Sequence, residues 1–323
     1  MDHLFTFGLF LIGLAMIIKG SDIFIDSAIW FTKITKIPDI IVGATLVSLG
    51  TTLPELMVSA GAAIQGNTEI AIGNSLGSII CNTGLILALV IMVSRPKFTN
   101  KKEFQQNGIL LLMLLTLLAF VSLAYGEISR YTGILLLVIL VWYLYKNIQK
   151  NICNQQTIPN EKHYCTLKGI DTKTIISNIF LFILGLTLTL LGSKLLITNG
   201  EKIAIFINVP DVVIGLTMTA FGTSLPELMT SITALRKKAY DLSIGNILGA
   251  NILNIILVIA VSSTILPIPI SKDILYLHLP FVLLIVGFTI LFSFMSHQFF
   301  RRRFGLIMFF AYTNYLLFTF ILF

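Results

Sequence analysis

Residues 38–60 read PDIIVGATLVSLGTTLPELMVSA, and residues 210–232 read PDVVIGLTMTAFGTSLPELMTSI. The two stretches align without a gap at a shift of 172 residues. The same shift brings IGNSLGSIICN from Ile72 onto IGNILGANILN from Ile244, and Gly20–Ser21 onto Gly192–Ser193. Over residues 38–82 it gives 20 identities in 45 positions. Apolar segments share Leu, Ile and Val through composition alone. They do not share Gly-Thr-x-Leu-Pro-Glu-Leu-Met and Gly-Asn-x-Leu-Gly at one spacing for that reason. A shift this long is no solenoid unit, so the chain reads as a duplicated domain.

Working outward, the composition names the solvent. Of 323 residues, 56% are hydrophobic and only 11% charged, with a mean hydropathy of +0.93. A water-soluble domain carries about 25% charged residues. Apolar runs fall at 4–20, 38–64, 70–93, 108–124, 131–145, 175–196, 209–235, 242–266, 274–295 and 304–323. About 20 apolar residues span a bilayer as a helix, and lipid leaves backbone polar groups no partner outside the segment. The expectation is therefore an all-α membrane protein of ten transmembrane helices. The first run follows Asp2 and His3, not a basic stretch, and reads as a retained span, not a removed signal peptide. Three cysteines without a CxxC pair argue against a disulfide framework or a zinc site. The net charge of +7 sits in short loops between apolar runs, which is the mark of membrane orientation and not of a nucleic-acid partner.

With the N-terminus outside, the cytoplasmic loops hold 17 Lys and Arg, among them Lys33, Lys36, Lys101, Lys146, Lys173, Arg236, Lys237 and Arg303. The outer loops hold four: Arg130, Lys194, Lys202 and Lys272. Lys19 is expected at the inner end of the first helix. The longest polar loop divides the spans five and five. This predicts a first five-helix repeat over 1–145 (motif 38–84), a cytoplasmic linker over 146–174, and a second repeat over 175–323 (motif 210–256). Five is odd, so the repeats enter the membrane from opposite sides. They are expected to be inverted about an axis in the membrane plane, an architecture that recurs in secondary transporters.

The chemistry lies in the repeated motif. Glu55 and Glu227 fall near the middle of the second and seventh spans, where a charge costs roughly 2.5–3.5 kcal/mol. An inverted axis would bring them together, and adjacent carboxylates repel unless a cation or proton lies between them. Pro54 and Pro226 remove an N–H and deprive the carbonyls of Gly50 and Gly222 of their helical partner. Thr51, Thr52, Thr223 and Ser224 add hydroxyls, and Asn82 and Asn254 add amide oxygens. Asn74 and Asn246 are either further ligands or ties between helices. This inventory is oxygen only, which suits Na⁺ or Ca²⁺. His3, His163, His278 and His297 lie at ends or in peripheral spans. No Ser/His pair, HExxH or catalytic aspartate dyad suggests an enzyme.

Gly50-Thr51-Thr52-Leu53-Pro54-Glu55 with Gly73-Asn74-Ser75-Leu76-Gly77-Ser78, and Gly222-Thr223-Ser224-Leu225-Pro226-Glu227 with Gly245-Asn246-Ile247-Leu248-Gly249-Ala250-Asn251, resemble the paired repeats of the sodium/calcium exchanger family, in its prokaryotic form. The resemblance implies Glu55 and Glu227 as shared Ca²⁺/Na⁺ carboxylates, with Asn82 and Asn254 as further ligands. It implies Na⁺ subsites lined by Thr51, Thr52, Thr223 and Ser224, carbonyl ligands from Ser48 and Ala220, and a further hydroxyl from Ser78. Three positions depart from the family: Ile79 stands where asparagine is usual, Ala250 lacks the hydroxyl of Ser78, and some relatives carry aspartate at Asn254.

The function implied is a monomeric Ca²⁺/Na⁺ antiporter of the cell membrane that works by alternating access. It uses no cofactor, and its partners are the two ions and lipid. The first and sixth helices, with Gly13, Gly20, Gly185 and Gly192, are candidate sliding elements. Proton-coupled or K⁺-dependent exchange, and passive cation conduction, are the competing readings.

Overall fold

The computed structural model describes residues 2–94, 101–154, 171–206, 222–294 and 298–322. Within them the chain is helical apart from one two-residue strand pair. The helices are α1 (Asp2–Thr35), α2 (Asp39–Thr51), α3 (Leu53–Ile64), α4 (Thr68–Val93), α5 (Lys101–Tyr125), α6 (Arg130–Asn154), α7 (Thr172–Phe206), α8 (Leu225–Arg236), α9 (Tyr240–Ile265), α10 (Leu279–Phe294) and α11 (Gln298–Leu322). Strands β1 (Glu127–Ile128) and β2 (Ile268–Pro269) pair antiparallel and tie the α5–α6 turn to the segment after α9. Six helices are long and apolar enough to cross a membrane, and α2 with α3, bent by 45°, make a seventh span.

The distribution of polarity is that of a protein solvated by lipid. Tyr131, Val141 and Phe120 stand 84%, 68% and 66% exposed on helix surfaces. Meanwhile two glutamates and five asparagines of the α4 and α9 region and the broken helices are buried. A water-soluble fold does the reverse. The densest apolar core surrounds α4 and α9, with Ile72, Leu76, Ile79, Ile247, Leu248 and Ile252 fully enclosed.

Several helices are joined where glycine lets backbones meet. A Cβ at Gly13 would lie 2.9 Å from the Gly192 carbonyl, and one at Gly192 2.9 Å from the Gly13 carbonyl. Gly20 and Gly185 face each other in the same way. Adding 172 to one member of each pair gives the equivalent of a member of the other pair. The same exchange links Gly133 of α6, against Ala260 of α9, with Gly305 of α11, against Ala88 of α4. The repeat seen in the sequence is thus carried by contacts between the halves, each half supplying the partner for the other.

The turn between α3 and α4 shows what the repeat keeps when residues change. Gly66 takes φ 85°, and Lys238, 172 residues later, takes φ 60°. Left-handed backbone costs a non-glycine residue roughly 1–2 kcal/mol, so the turn is retained in the second half against local preference.

Helix ends differ from expectation in one consistent direction. The apolar run ending at residue 20 continues as helix to Thr35, which places Lys19 mid-helix, not at the inner end. The run ending at 196 continues to Phe206, and that ending at 145 continues to Asn154, into the expected linker. Residues 155–170 of that linker lie outside the described residues. Hydropathy stops where polar residues begin, but these polar residues have partners. Ser21 meets Thr233 at 3.0 Å, and Lys237 reaches Asp26 at 2.6 Å and Asp22 at 3.9 Å. At about 1.5 Å per residue, α1 is about 50 Å long, well beyond a bilayer core of about 30 Å.

Candidate cation-binding site

Two broken helices build the site. The first span stops at Thr52 (φ −79°, ψ −2°) and restarts as α3 with Pro54 in its first turn. In the second half Ser224 (φ −85°, ψ 4°) precedes α8, with Pro226 in its first turn. A proline is tolerated there because the first N–H groups of a helix have no intrahelical partner. The restart puts Glu55 and Glu227 in the first turn of α3 and α8, where the unpaired N–H groups favour negative charge. Proline therefore does more than kink the helix: it creates a positive helix end in mid-span, directly beneath each carboxylate.

Thr52, Glu55, Asn82, Glu227 and Asn254 are completely buried, and Ser48, Thr51, Ser78, Thr223 and Ser224 nearly or completely so. The two carboxyls are close enough to interact electrostatically. Ser78 on α4 reaches Glu55 Oε1 and Thr223 Oγ1, each at 3.5 Å. Among the described residues, Glu55 Oε2, both Glu227 oxygens, Thr52 Oγ1, Ser224 Oγ and the side-chain oxygens of Asn82 and Asn254 are buried without a hydrogen-bond partner. An unpaired buried polar atom costs about 1–3 kcal/mol, and a charged one more. So many at one place, nearly all of them acceptors, form a cradle for a hard cation. No group of three or more His, Cys, Asp or Glu occurs among the described residues, so any cation here relies on hydroxyl, amide and carbonyl oxygens beside the two carboxylates.

Asn82 and Asn254 sit at matched irregularities. Each opens a π-helical turn, Asn82–Leu87 in α4 and Asn254–Ile259 in α9. A third such turn, Gly43–Val47, leads into Ser48, and Tyr143 donates to the Ala44 carbonyl within it at 2.9 Å. π-Turns are rare and concentrate at functional sites. Neither these turns nor the role of Tyr143 is legible in the residue pattern.

The structure resolves the open question over Asn74 and Asn246. Thr51 donates to Asn246 Oδ1 at 3.2 Å, and Thr223 donates to Asn74 Oδ1 at 3.1 Å. Asn74 in turn donates to Ser59 Oγ at 3.0 Å and to the Glu55 carbonyl at 3.3 Å. Asn246 donates to Thr230 Oγ1 at 3.2 Å, and Thr230 reaches the Glu227 carbonyl at 3.1 Å. Both asparagines therefore tie helices of opposite halves together. Asn251 makes a further tie, donating to Thr83 at 2.8 Å, where the first half has Ile79.

The carbonyls released by the prolines are not idle. Backbone N–H groups at the first break reach the Gly50 and Ser48 carbonyls, and Ser193 donates to the Gly222 carbonyl at 3.4 Å. The expectation of bare carbonyls is corrected to carbonyls that keep one lone pair for a ligand. Thr51 also approaches the Ser48 carbonyl at 3.4 Å. Ala220 lies outside the described residues.

The model of the family described as sodium/calcium exchanger protein matches residues 5–149 and 177–321, both halves of the chain. The chain belongs to the sodium/calcium exchanger family. It is 33% identical to a membrane protein of Methanocaldococcus jannaschii over 84% of this chain and 82% of that one. It is 28% identical to the sodium/calcium exchanger MaX1 of Methanosarcina acetivorans over 98% of each chain. Among solved structures, the sodium–calcium exchanger NCX_Mj soaked with 10 mM Na⁺ and zero Ca²⁺ superposes with a TM-score of 0.83 at 28% identity, covering 97% of this chain and 98% of that one. This exchanger-family chain is accordingly an all-helical, multi-pass membrane protein.

Proposed function

We propose that the protein exchanges Ca²⁺ for Na⁺ across the cell membrane by alternating access, at one site shared by the two ions. The observation that carries this reading is the pair of fully buried glutamates with unpartnered oxygens, set at matched helix breaks. Two carboxylates balance one Ca²⁺ or two Na⁺, so the ions compete for the same negative charge, and competition is what antiport needs. The ligand set is Glu55, Glu227, Asn82, Asn254, Thr51, Thr52, Thr223, Ser224 and Ser78, with carbonyls of Ser48 and Ala220.

The architecture we propose is ten spans in two inverted five-helix repeats, over 1–145 and 175–323, joined by a cytoplasmic 146–174 linker. The exchanged contact pairs of Gly13/Gly192 with Gly20/Gly185 support it, as do those of Thr51/Asn246 with Thr223/Asn74. The charge bias of the loops supports an outer N-terminus. The protein acts as a monomer and without a cofactor.

Flux of ⁴⁵Ca²⁺ into proteoliposomes, with Na⁺, K⁺ and pH gradients set independently, tests the function. Uptake driven by an opposing Na⁺ gradient is expected. Uptake that ignores Na⁺ but follows a pH gradient would replace it with proton-coupled exchange. An absolute need for K⁺ would add a third ion.

A further inference from the structure

The proposed Na⁺ ligands Thr51 and Thr223 present a chemical difficulty. A hydroxyl has one hydrogen and can serve a cation only through its lone pairs. Thr51 stands beside the Glu227 carboxyl, the strongest acceptor within its reach. A hydroxyl that gives its hydrogen to that carboxylate occupies an oxygen the cation needs and turns its hydrogen toward the positive charge.

We propose that Asn74 and Asn246 are positioning residues that take those hydrogens away from the site. An amide Oδ1 cannot donate, so in the 3.2 Å contact of Thr51 with Asn246 and the 3.1 Å contact of Thr223 with Asn74 the threonine is the donor. What each threonine oxygen then offers to anything else is lone pairs. The asparagines are held for this task. Their amide nitrogens are committed to Ser59 and the Glu55 carbonyl on one side, and to Thr230 on the other, which keeps Oδ1 toward threonine. Both are nearly fully buried, with 4% and 1% exposure, so water does not compete for the bond.

The connectivity adds a second consequence. Asn74 joins the backbone of Glu55 to the hydroxyl of Thr223, and Asn246 joins Thr51 through Thr230 to the backbone of Glu227. Thr51 and Glu55 belong to one broken helix, Thr223 and Glu227 to the other. The bonds close into a ring, so each repeat's hydroxyl is set by the asparagine that also holds the other repeat's glutamate. Na⁺, which draws more of its coordination from neutral oxygens, depends on this orientation more than Ca²⁺, which is held chiefly by the two carboxylates.

This inference rests on the antiport reading, and the test separates them. Equilibrium ⁴⁵Ca²⁺ binding to the purified full-length protein is measured with increasing Na⁺. In Asn246→Leu and Asn74→Leu, the Na⁺ needed for half-displacement rises about tenfold while Ca²⁺ affinity changes less than about threefold. Asn246→Ala and Asn74→Ala remove the same acceptor with less bulk and are expected to behave alike if the leucine variants do not fold. Thr51→Val with Asn246→Leu is no weaker for Na⁺ than Thr51→Val alone, because the asparagine acts through that hydroxyl; coupling of this kind appears as non-additivity. Additive losses, or equal changes for both ions, overturn the positioning role. Wild-type protein whose bound Ca²⁺ is indifferent to Na⁺ overturns the antiport reading together with it.

Discussion

Glu55 and Glu227 occupy equivalent residues but not equivalent surroundings. Ser78 reaches Glu55 at 3.5 Å, while its counterpart in the second half is Ala250, which has no hydroxyl to offer Glu227. Both oxygens of Glu227 are unpartnered, against one of Glu55. Replacing either glutamate by glutamine removes half the site's charge and leaves the other carboxylate buried without compensation. Breaking a buried charged arrangement costs about 3–5 kcal/mol, or roughly a hundredfold or more in affinity. Glu55→Gln and Glu227→Gln are each expected to abolish Na⁺-driven ⁴⁵Ca²⁺ flux while the protein still inserts, as judged by membrane yield; wild-type flux in either would remove it from the site. Ala250→Ser restores the missing hydroxyl and is expected to strengthen Na⁺ competition about two- to fivefold, a gain corresponding to one additional neutral hydrogen-bonding oxygen. Na⁺ titration of Ca²⁺ binding reads this directly.

Among the elements, the α1–α7 pair is defined by backbone contact. Gly20 has the Thr189 amide 2.6 Å from where a Cβ would sit, and Gly192 has the Ile17 amide at the same distance. Any side chain there must part the helices, and overpacking of this kind costs roughly 1–3 kcal/mol. Gly20→Val is expected to lower the melting temperature in detergent and to slow exchange, with Ca²⁺ affinity at equilibrium little changed because no site ligand lies on α1 or α7. A variant that transports at the wild-type rate would argue that this contact plays no part in the transport cycle. The broken helices make the opposite use of a local rule. Proline and a preceding polar residue end one helix and start another, and the new helix end is the device that holds the carboxylate. The second proline-broken helix repeats Thr52's backbone angles to within a few degrees at Ser224, although the residue differs. Geometry, not identity, is what the repeat preserves there.

Taken whole, the molecule is symmetric in its contacts and asymmetric in its pins. Lys237, just beyond α8, bridges to Asp26 at 2.6 Å and to the Asp22 carbonyl at 3.3 Å, and Ser21 meets Thr233 at 3.0 Å. The positions 172 residues away are Gln65, Thr198, Lys194 and Gly61, which offer no such ion pair. On the proposed orientation the pinned end is cytoplasmic, so α1 is held to α8 on that side alone. Partly exposed ion pairs contribute about 0.2–1 kcal/mol. Lys237→Gln is therefore expected to raise the inward-open population about 1.5- to 5-fold, measured as accessibility of a cysteine placed in the cytoplasmic half of α1. No change in accessibility would reduce this ion pair to a surface contact.

How much of this was legible beforehand depends on the range of the interaction concerned. The duplicated motifs, the glutamates, the prolines and the hydroxyls are local features. Lipid forces any apolar span to satisfy its own backbone, so residue type and run length alone determine helix, membrane and repeat. The run ends were misjudged because hydropathy cannot see that Ser21, Asp22 and Asp26 find partners on α8. The roles of Asn74 and Asn246 stayed open for the same reason: an asparagine in an apolar helix is a ligand or a tie according to what lies opposite, and what lies opposite is 149 or 195 residues away. The π-turns at Asn82 and Asn254, and the support of Ala44 by Tyr143, likewise arise from packing between the halves. The sequence by itself determined which oxygens could bind a cation; only the tertiary structure decided which of them are left unpaired to do so, because an unsatisfied group is defined by its neighbours and not by its own chemistry.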